Sequence, residues 1–464
     1  MFGQSRNREW RDLSAWKSEG LPLSTTSDRA AKLYDAVVTQ YVGWYDDLNV
    51  NGIESSLKEL LEADSSFVMA HVLKNGLELI GTGTNIWKDT SLRQSIDEMK
   101  AIVEKNTSLT KRERKHAAAI QAWSQGFVVK ALDTWEEILT EYPTDVTALK
   151  FAHDSYFYLG YQDQMRDSIA RVLPNWNDTI PLYGFLHGMY AFGLVETNFY
   201  NEAEKHAKQG LDLNPYDCWS THALCHVLEM EGRYDEGVTF LKDTENYWTR
   251  GEMLACHNYW HWALYHIEKG EHEAAIGIYD EQVFQRGKSG AMLDMVDGSS
   301  LLYRLQLEGI NVNDRWREIQ QLWGDTHSDD HVLVFNDLHL LMCTLGSKDQ
   351  DGTTKIMESM KDFIRERQGT NCEVTKEVGL KMCEAFEYFD QENYAKCTEL
   401  LAPLKYKFVK IGGSNAQRDV FHQLLIHSAM RSPLKSHQCL ARGLLAERKA
   451  MKENSPLTDR LMMM

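Results

Sequence analysis

The chain has 464 residues, of which 43% are hydrophobic and 25% charged, and its 50 basic and 68 acidic residues leave a formal net charge of −18. That length exceeds what one compact core supports, so several domains or a repeat array are expected. The acidic excess repels phosphate backbones and anionic headgroups, which removes nucleic acid and membrane surfaces from the expected partners.

No apolar run approaches the roughly 20 residues needed to cross a bilayer. The opening MFGQSRNREWRDLSAW lacks the apolar core of a signal peptide, so a cytoplasmic location is expected. The 8 cysteines contain no CxxC and read as reduced thiols.

Residues 1–27 read as an ordered lead-in, with LPLSTTSD (21–28) supplying hydroxyl and acidic groups suited to capping the next helix. Helical spacing then runs through AAKLYDAVVTQYVGWY and GIESSLKELLEA, broken at 49–52. A second pair is FVMAHVLKNGLELIG (67–81) and LRQSIDEMKAIVEK (92–105), joined by a loop that includes GTGTN (81–85).

From Thr110 the pattern becomes a repeat. A small residue recurs at 119, 153, 191, 225 and 263 as Ala119, His153, Ala191, Cys225 and Ala263, and a turn residue at Gly126, Gly160, Asn198, Gly232 and Gly270. The position after the turn, Ala131, recurs at Met165, Ala203, Gly237 and Ala275 in steps of 34, 38, 34 and 38 residues. These offsets are those of tetratricopeptide helical hairpins: small side chains let helices approach, and the turn needs positive φ. His153 departs from the small class and should hydrogen-bond across its interface or loosen it. The 38-residue steps require a four-residue insertion in a loop or a helix.

After Arg286 the signature decays but helical spacing persists. The predicted fold is therefore all-α: residues 28–464 form one continuous right-handed α-solenoid, with the clearest repeats at 112–145, 146–179, 184–217, 218–251 and 256–289. Segments such as HDSYFYLGYQDQMRDS (153–168), MLACHNYWHWALYHIEKGEHEAA (253–275), GGSNAQRDVFHQLLIH (412–427) and NSPLTDRL (454–461) are similar to the tetratricopeptide repeat family over about Trp10 to Leu461. The resemblance implies an intracellular repeat protein and brings no catalytic residue with it.

First helices of such repeats line a concave surface, and helical spacing selects the side chains turned towards it. That set is Lys150, Asp154, His222, His226, Glu229, His257 and Trp260, with Ser299, Tyr303 and Asn336 from the weaker repeats. His222 and His226 stand at i and i+4, a workable clip for zinc, and His257 of the next repeat is the expected third ligand. Glu229 lies too far along the helix from His222 to share one ion with it, about 10.5 Å at 1.5 Å per residue. HExxH is absent, and so is the ready-made base it carries. Trp260 turned inward could stack on a ligand or peptide side chain, although core packing is the commoner fate of such aromatics, and His261 and Trp262 are expected to pack between helices.

Three other stretches weigh less. GGSN (412–415) reads as a capped turn, since it lacks the ending of a phosphate loop. KRERK (111–115) and RERQ (365–368) read as solvated faces. DMVDGSS, HSDDH and FNDLH supply carboxylates, imidazoles and Ser299 without a nucleophile motif. The leading expectation is a non-enzymatic scaffold that binds a protein or peptide segment in the groove, without cofactor. The alternative is an enzyme that binds zinc or a small molecule through the inward histidines and carboxylates.

Overall fold

The computed structural model describes residues 10–324 and 326–464, so the part of the lead-in at 1–9 lies outside the described residues. Helices run in pairs throughout, and there is no strand among the described residues. The five clear repeats are Lys111–Ser124 with Val128–Glu141, Val146–Leu159 with Gln162–Val172, Tyr183–Glu196 with Tyr200–Leu213, Cys218–Met230 with Tyr234–Trp248, and Glu252–Lys269 with His272–Ile278.

Local sequence explains these boundaries. Ser27 caps the Asp28–Gly43 helix by accepting from the Ala30 amide, and Thr110 with Glu113 forms a reciprocal capping box. All five turn residues have positive φ, from 67° at Gly160 and Asn198 to 84° at Gly126. Ala119, Ala191, Cys225 and Ala263 are fully buried. His153, the large member of that series, donates from Nε2 to the Met189 carbonyl at 3.1 Å. Between such helices sit Trp135, Trp248 and Trp260, fully buried. Each such side chain contributes on the order of 2–3 kcal/mol of transfer free energy.

The two insertions differ in kind. The first lengthens a connection, with the 3₁₀ turn Leu173–Asn175 and a loop preceding Tyr183. The second lengthens a helix, since Glu252–Lys269 has 18 residues where Val146–Leu159 has 14.

The expectation for KRERK is corrected. Arg112 and Glu113 are buried: the Arg112 guanidinium donates to Asp145 at 2.8 Å and to the Pro22 carbonyl at 3.1 Å, and Glu113 accepts from the Ser24 amide at 2.8 Å. The lead-in strand of chain covers this helix face and makes a charged run an internal one. RERQ is exposed as expected. Ser414 caps the helix Asn415–Arg431 in a box with Gln417, so GGSN is a capped turn.

The described chain divides into two compact units, 10–157 with Gln162–Ala223 and Tyr247–Leu254, and Tyr158–Tyr161 with Leu224–Asn246 and Ala255–Met464. In the first, buried cations are paired in place: Arg11 with Asp35 at 2.6 Å, Arg112 with Asp145, and Lys150 with Asp154. In the second, the helices Met292–Leu307, Val334–Ser347, Leu380–Asp390 and Asn415–Arg431 surround a core with more imidazoles.

Candidate metal centre

Three histidines meet inside the second unit. His226 comes from the helix Cys218–Met230, and His257 and His261 stand one turn apart on Glu252–Lys269. Buried Cys225 and Ala263 are small enough to bring these two first helices together. The coordinating nitrogens of the three rings lie within 4.8 Å of one another, and His226 Nε2 is 3.1 Å from His261 Nε2. Two nitrogens bound to one tetrahedral zinc at about 2.0–2.1 Å stand about 3.4 Å apart.

Carboxylates stand behind two of the rings. His257 Nδ1 is 2.7 Å from Asp297 Oδ2, and His261 Nδ1 is 3.0 Å from Glu229 Oε2. Burial raises the pKa of both carboxyl groups; in their ionised form they accept from the Nδ1 hydrogens, which leaves a lone pair on each Nε2. Burial, then the neighbouring histidines, holds the pKa of His226 and His261 well below the ordinary imidazole value, which keeps both rings in the neutral, ligating form. Two neutral rings facing each other Nε2 to Nε2 at 3.1 Å need a proton or a metal ion between them.

The surroundings fix these orientations. Trp260 stacks on His257 at 4.9 Å with 12° between planes, and the Arg304 guanidinium lies 5.6 Å from the Trp260 ring. Arg304 is itself anchored by donating to the Ala416 carbonyl at 2.7 Å. The far oxygen of Glu229 is 3.8 Å from Lys452 Nζ. Next to Asp297, Asp294 is pushed up to about 7 by burial and by that neighbouring carboxylate. Imidazole nitrogens with carboxylates held behind them suit zinc and its neighbours among the transition metals, whereas magnesium and calcium require oxygen ligands.

All ten residues expected to line a groove are buried, none more than 9% exposed, so the expectation of an open surface at these positions is corrected. The cause is packing of other elements of the same unit against them. In the first unit Lys150 pairs with Asp154 inside a box of Trp219, Tyr41 and Trp44, at 4.2, 5.0 and 5.5 Å from the ring centres, and the Tyr41 hydroxyl donates to Asp154 at 2.9 Å. His222 also belongs to that unit, its ring 4.9 Å from Phe192 and 6.1 Å from Trp219.

In the second unit Ser299 donates to the Met295 carbonyl at 2.7 Å and accepts from Trp323, which gives it no nucleophile's geometry. Tyr303 packs on Phe386 at 5.1 Å, and Asn336 is 9% exposed. Trp260 faces His257 and no open groove. Of the expected ligands, the second unit brings together His226 and His257 and adds His261, which repeat counting puts in a helix interface. Its signal is the i, i+4 pair within HNYWHW. Glu229 lies behind His261, 3.0 Å from its Nδ1.

No protein-family model matches the chain. Among solved structures, a monomeric mutant of IFIT1 with Gppp-AAAA is 13% identical, with coverage of 98% of this chain and 97% of that one and a TM-score of 0.43. The human IFIT1 dimer with m7Gppp-AAAA is 13% identical, covering 98% and 96%, with a TM-score of 0.41. The APC/C hetero-tetramer Cut9–Hcn1 is 13% identical, covering 97% and 79%, with a TM-score of 0.41. Likenesses at this level say nothing about what this chain binds. No described helix is long and apolar enough to cross a membrane.

Proposed function

We propose that this protein is a helical-repeat metalloprotein in which His226, His257 and His261 hold one transition-metal ion, zinc being the best match. The observation that carries this reading is the convergence of three buried ligating nitrogens with two carboxylates fixing the tautomers behind them. Held there, the ion would tie the ligand-bearing helices together and could supply Lewis acidity. Around it, Asp297 and Glu229 orient the rings, and Trp260 and Arg304 keep bulk water away.

The test is elemental analysis of untagged protein after dialysis against zinc. About one equivalent is expected in the parent, and a tenth or less in His257→Ala and His261→Ala, with unchanged helical circular dichroism. A parent that retains under about a tenth of an equivalent ends the proposal.

A scaffold role is the coarser reading that a helical-repeat fold supports. A partner segment would then dock on surface other than the ten buried positions. On the finer identity, the segments from LPLSTTS to NSPLTDRL are similar to tetratricopeptide repeat protein 38, and seven buried cysteines held as thiols fit a reducing, cytoplasmic setting.

A further inference from the structure

The three proposed ligands are at most 3% exposed, so an ion or its fourth ligand enters only when covering chain moves. We propose that residues 452–463, a short joint followed by the helix Pro456–Met463, are a strap that controls entry to the metal centre; this rests on the metal reading above.

The strap touches the centre's outer shell directly. Lys452 Nζ is 3.8 Å from Glu229 Oε1, while the other oxygen of Glu229 meets His261. The same ammonium lies 5.1 Å from the Tyr234 ring. The strap then crosses the turns of both ligand-bearing repeats. A Cβ on Gly232 would come within 2.5 Å of the Asn454 carbonyl oxygen, and one on Gly270 within 3.3 Å of Arg460 Nη1. Both turn glycines therefore serve close approach of the strap as well as positive φ.

Polar pins hold it down. Ser455 donates its hydroxyl to Glu268 and caps the strap helix by accepting from the Thr458 amide at 3.1 Å. Arg460 donates to the Glu268 and Ile267 carbonyls at 2.8 and 2.9 Å, at the end of the helix that carries His257 and His261, and pairs with Glu308 at 2.7 Å. Beside these pins the seating is incomplete. A crevice of about 650 Å³ runs between Gly232, Tyr234 and Lys269 on the body and Glu453, Asn454 and Pro456 on the strap. Leu457 and Leu461 are its buried apolar anchors, and a segment of two such anchors and a set of polar pins beside a crevice opens at lower free energy than a helix packed on all sides.

A gate and a mere support differ kinetically. Loosening a gate speeds entry and exit alike and leaves their ratio unchanged, whereas loosening a support weakens affinity through exit alone. The experiment loads full-length protein with zinc and follows release to 4-(2-pyridylazo)resorcinol and uptake from zinc chloride by stopped flow, in the parent, Arg460→Ala, Ser455→Ala and the conservative Arg460→Lys. The proposal expects both rates to rise about tenfold in the two alanine variants, an affinity within about twofold of the parent, and partial recovery in Arg460→Lys. Unchanged rates, or faster release with unchanged uptake and weaker affinity, overturn the strap while leaving the metal centre standing. A parent that takes up no zinc overturns the metal reading, and the strap falls with it. Thermal melting of the metal-free proteins checks that each variant is folded.

Discussion

The two units bury charge in opposite ways. In the first, Asp145 receives Arg112 and His116 at 2.8 and 2.9 Å, and Lys150 faces Asp154 within its aromatic box. The Asp145 carboxylate, despite burial, is held far below its ordinary range by His116 and Arg112. In the second, carboxylates sit behind imidazoles whose remaining nitrogens face one another. Buried charge is met by ion pairs in one unit and by imidazoles backed by carboxylates in the other.

The largest effect expected from this contrast is on stability. Asp145→Ala strips Arg112 and His116 of their buried partner and should cost about 3–5 kcal/mol in chemical denaturation. Zinc uptake by folded protein should stay at the parent level; loss of uptake would show that the centre depends on the first unit's ion pairs. Next, zinc at about 100 times its dissociation constant should stabilise the parent by about 2.7 kcal/mol, read as a raised melting temperature that a chelator reverses. Equal melting with and without zinc would place the three histidines among structural groups.

Asp297→Asn keeps size but removes the carboxylate that fixes His257, so zinc affinity should fall about 10–100-fold in chelator competition. An unchanged affinity would reduce Asp297 to a packing residue and blur the contrast between the units.

The smallest effect concerns protons in the first unit. His187 Nδ1 meets His206 Nδ1 at 3.1 Å, and burial, then that neighbour, pushes the His187 imidazole down to about 4. The unfolded chain, with a value near 6.5, then binds more protons than the folded one between those limits. Stability is full above about 6.5 and is lost as pH falls towards 4. His187→Gln should show a shallower loss across that window in denaturation at stepped pH; parallel curves would remove His187 from the acid response.

Much of the architecture was legible in the residues. The turn residues from Gly126 to Gly270 and the small residues from Ala119 to Ala263 impose local constraints, positive φ and close helix approach, which no distant contact needs to supply. The site was half legible. HxxxH spacing marks His222 with His226 and His257 with His261, but spacing along one helix does not say which ring turns towards a neighbouring helix. Counting by repeat offset found His226 and His257 and missed His261. Arg112 shows the same limit: a basic run looks solvated until a segment some 90 residues away, at Leu21 and Pro22, covers it.

By itself, then, the sequence determined the helix pairs, their turns and the chemistry available on each helix, because capping, periodicity and backbone freedom act over a few residues. Tertiary structure alone decided that the ten expected groove residues are buried, that Asp297 and Glu229 stand behind His257 and His261, and that residues 452–463 lie across Gly232 and Gly270. Those outcomes depend on the rotation and approach of elements up to two hundred residues apart, and pairwise distances of that kind are set by packing and are not encoded in any local pattern.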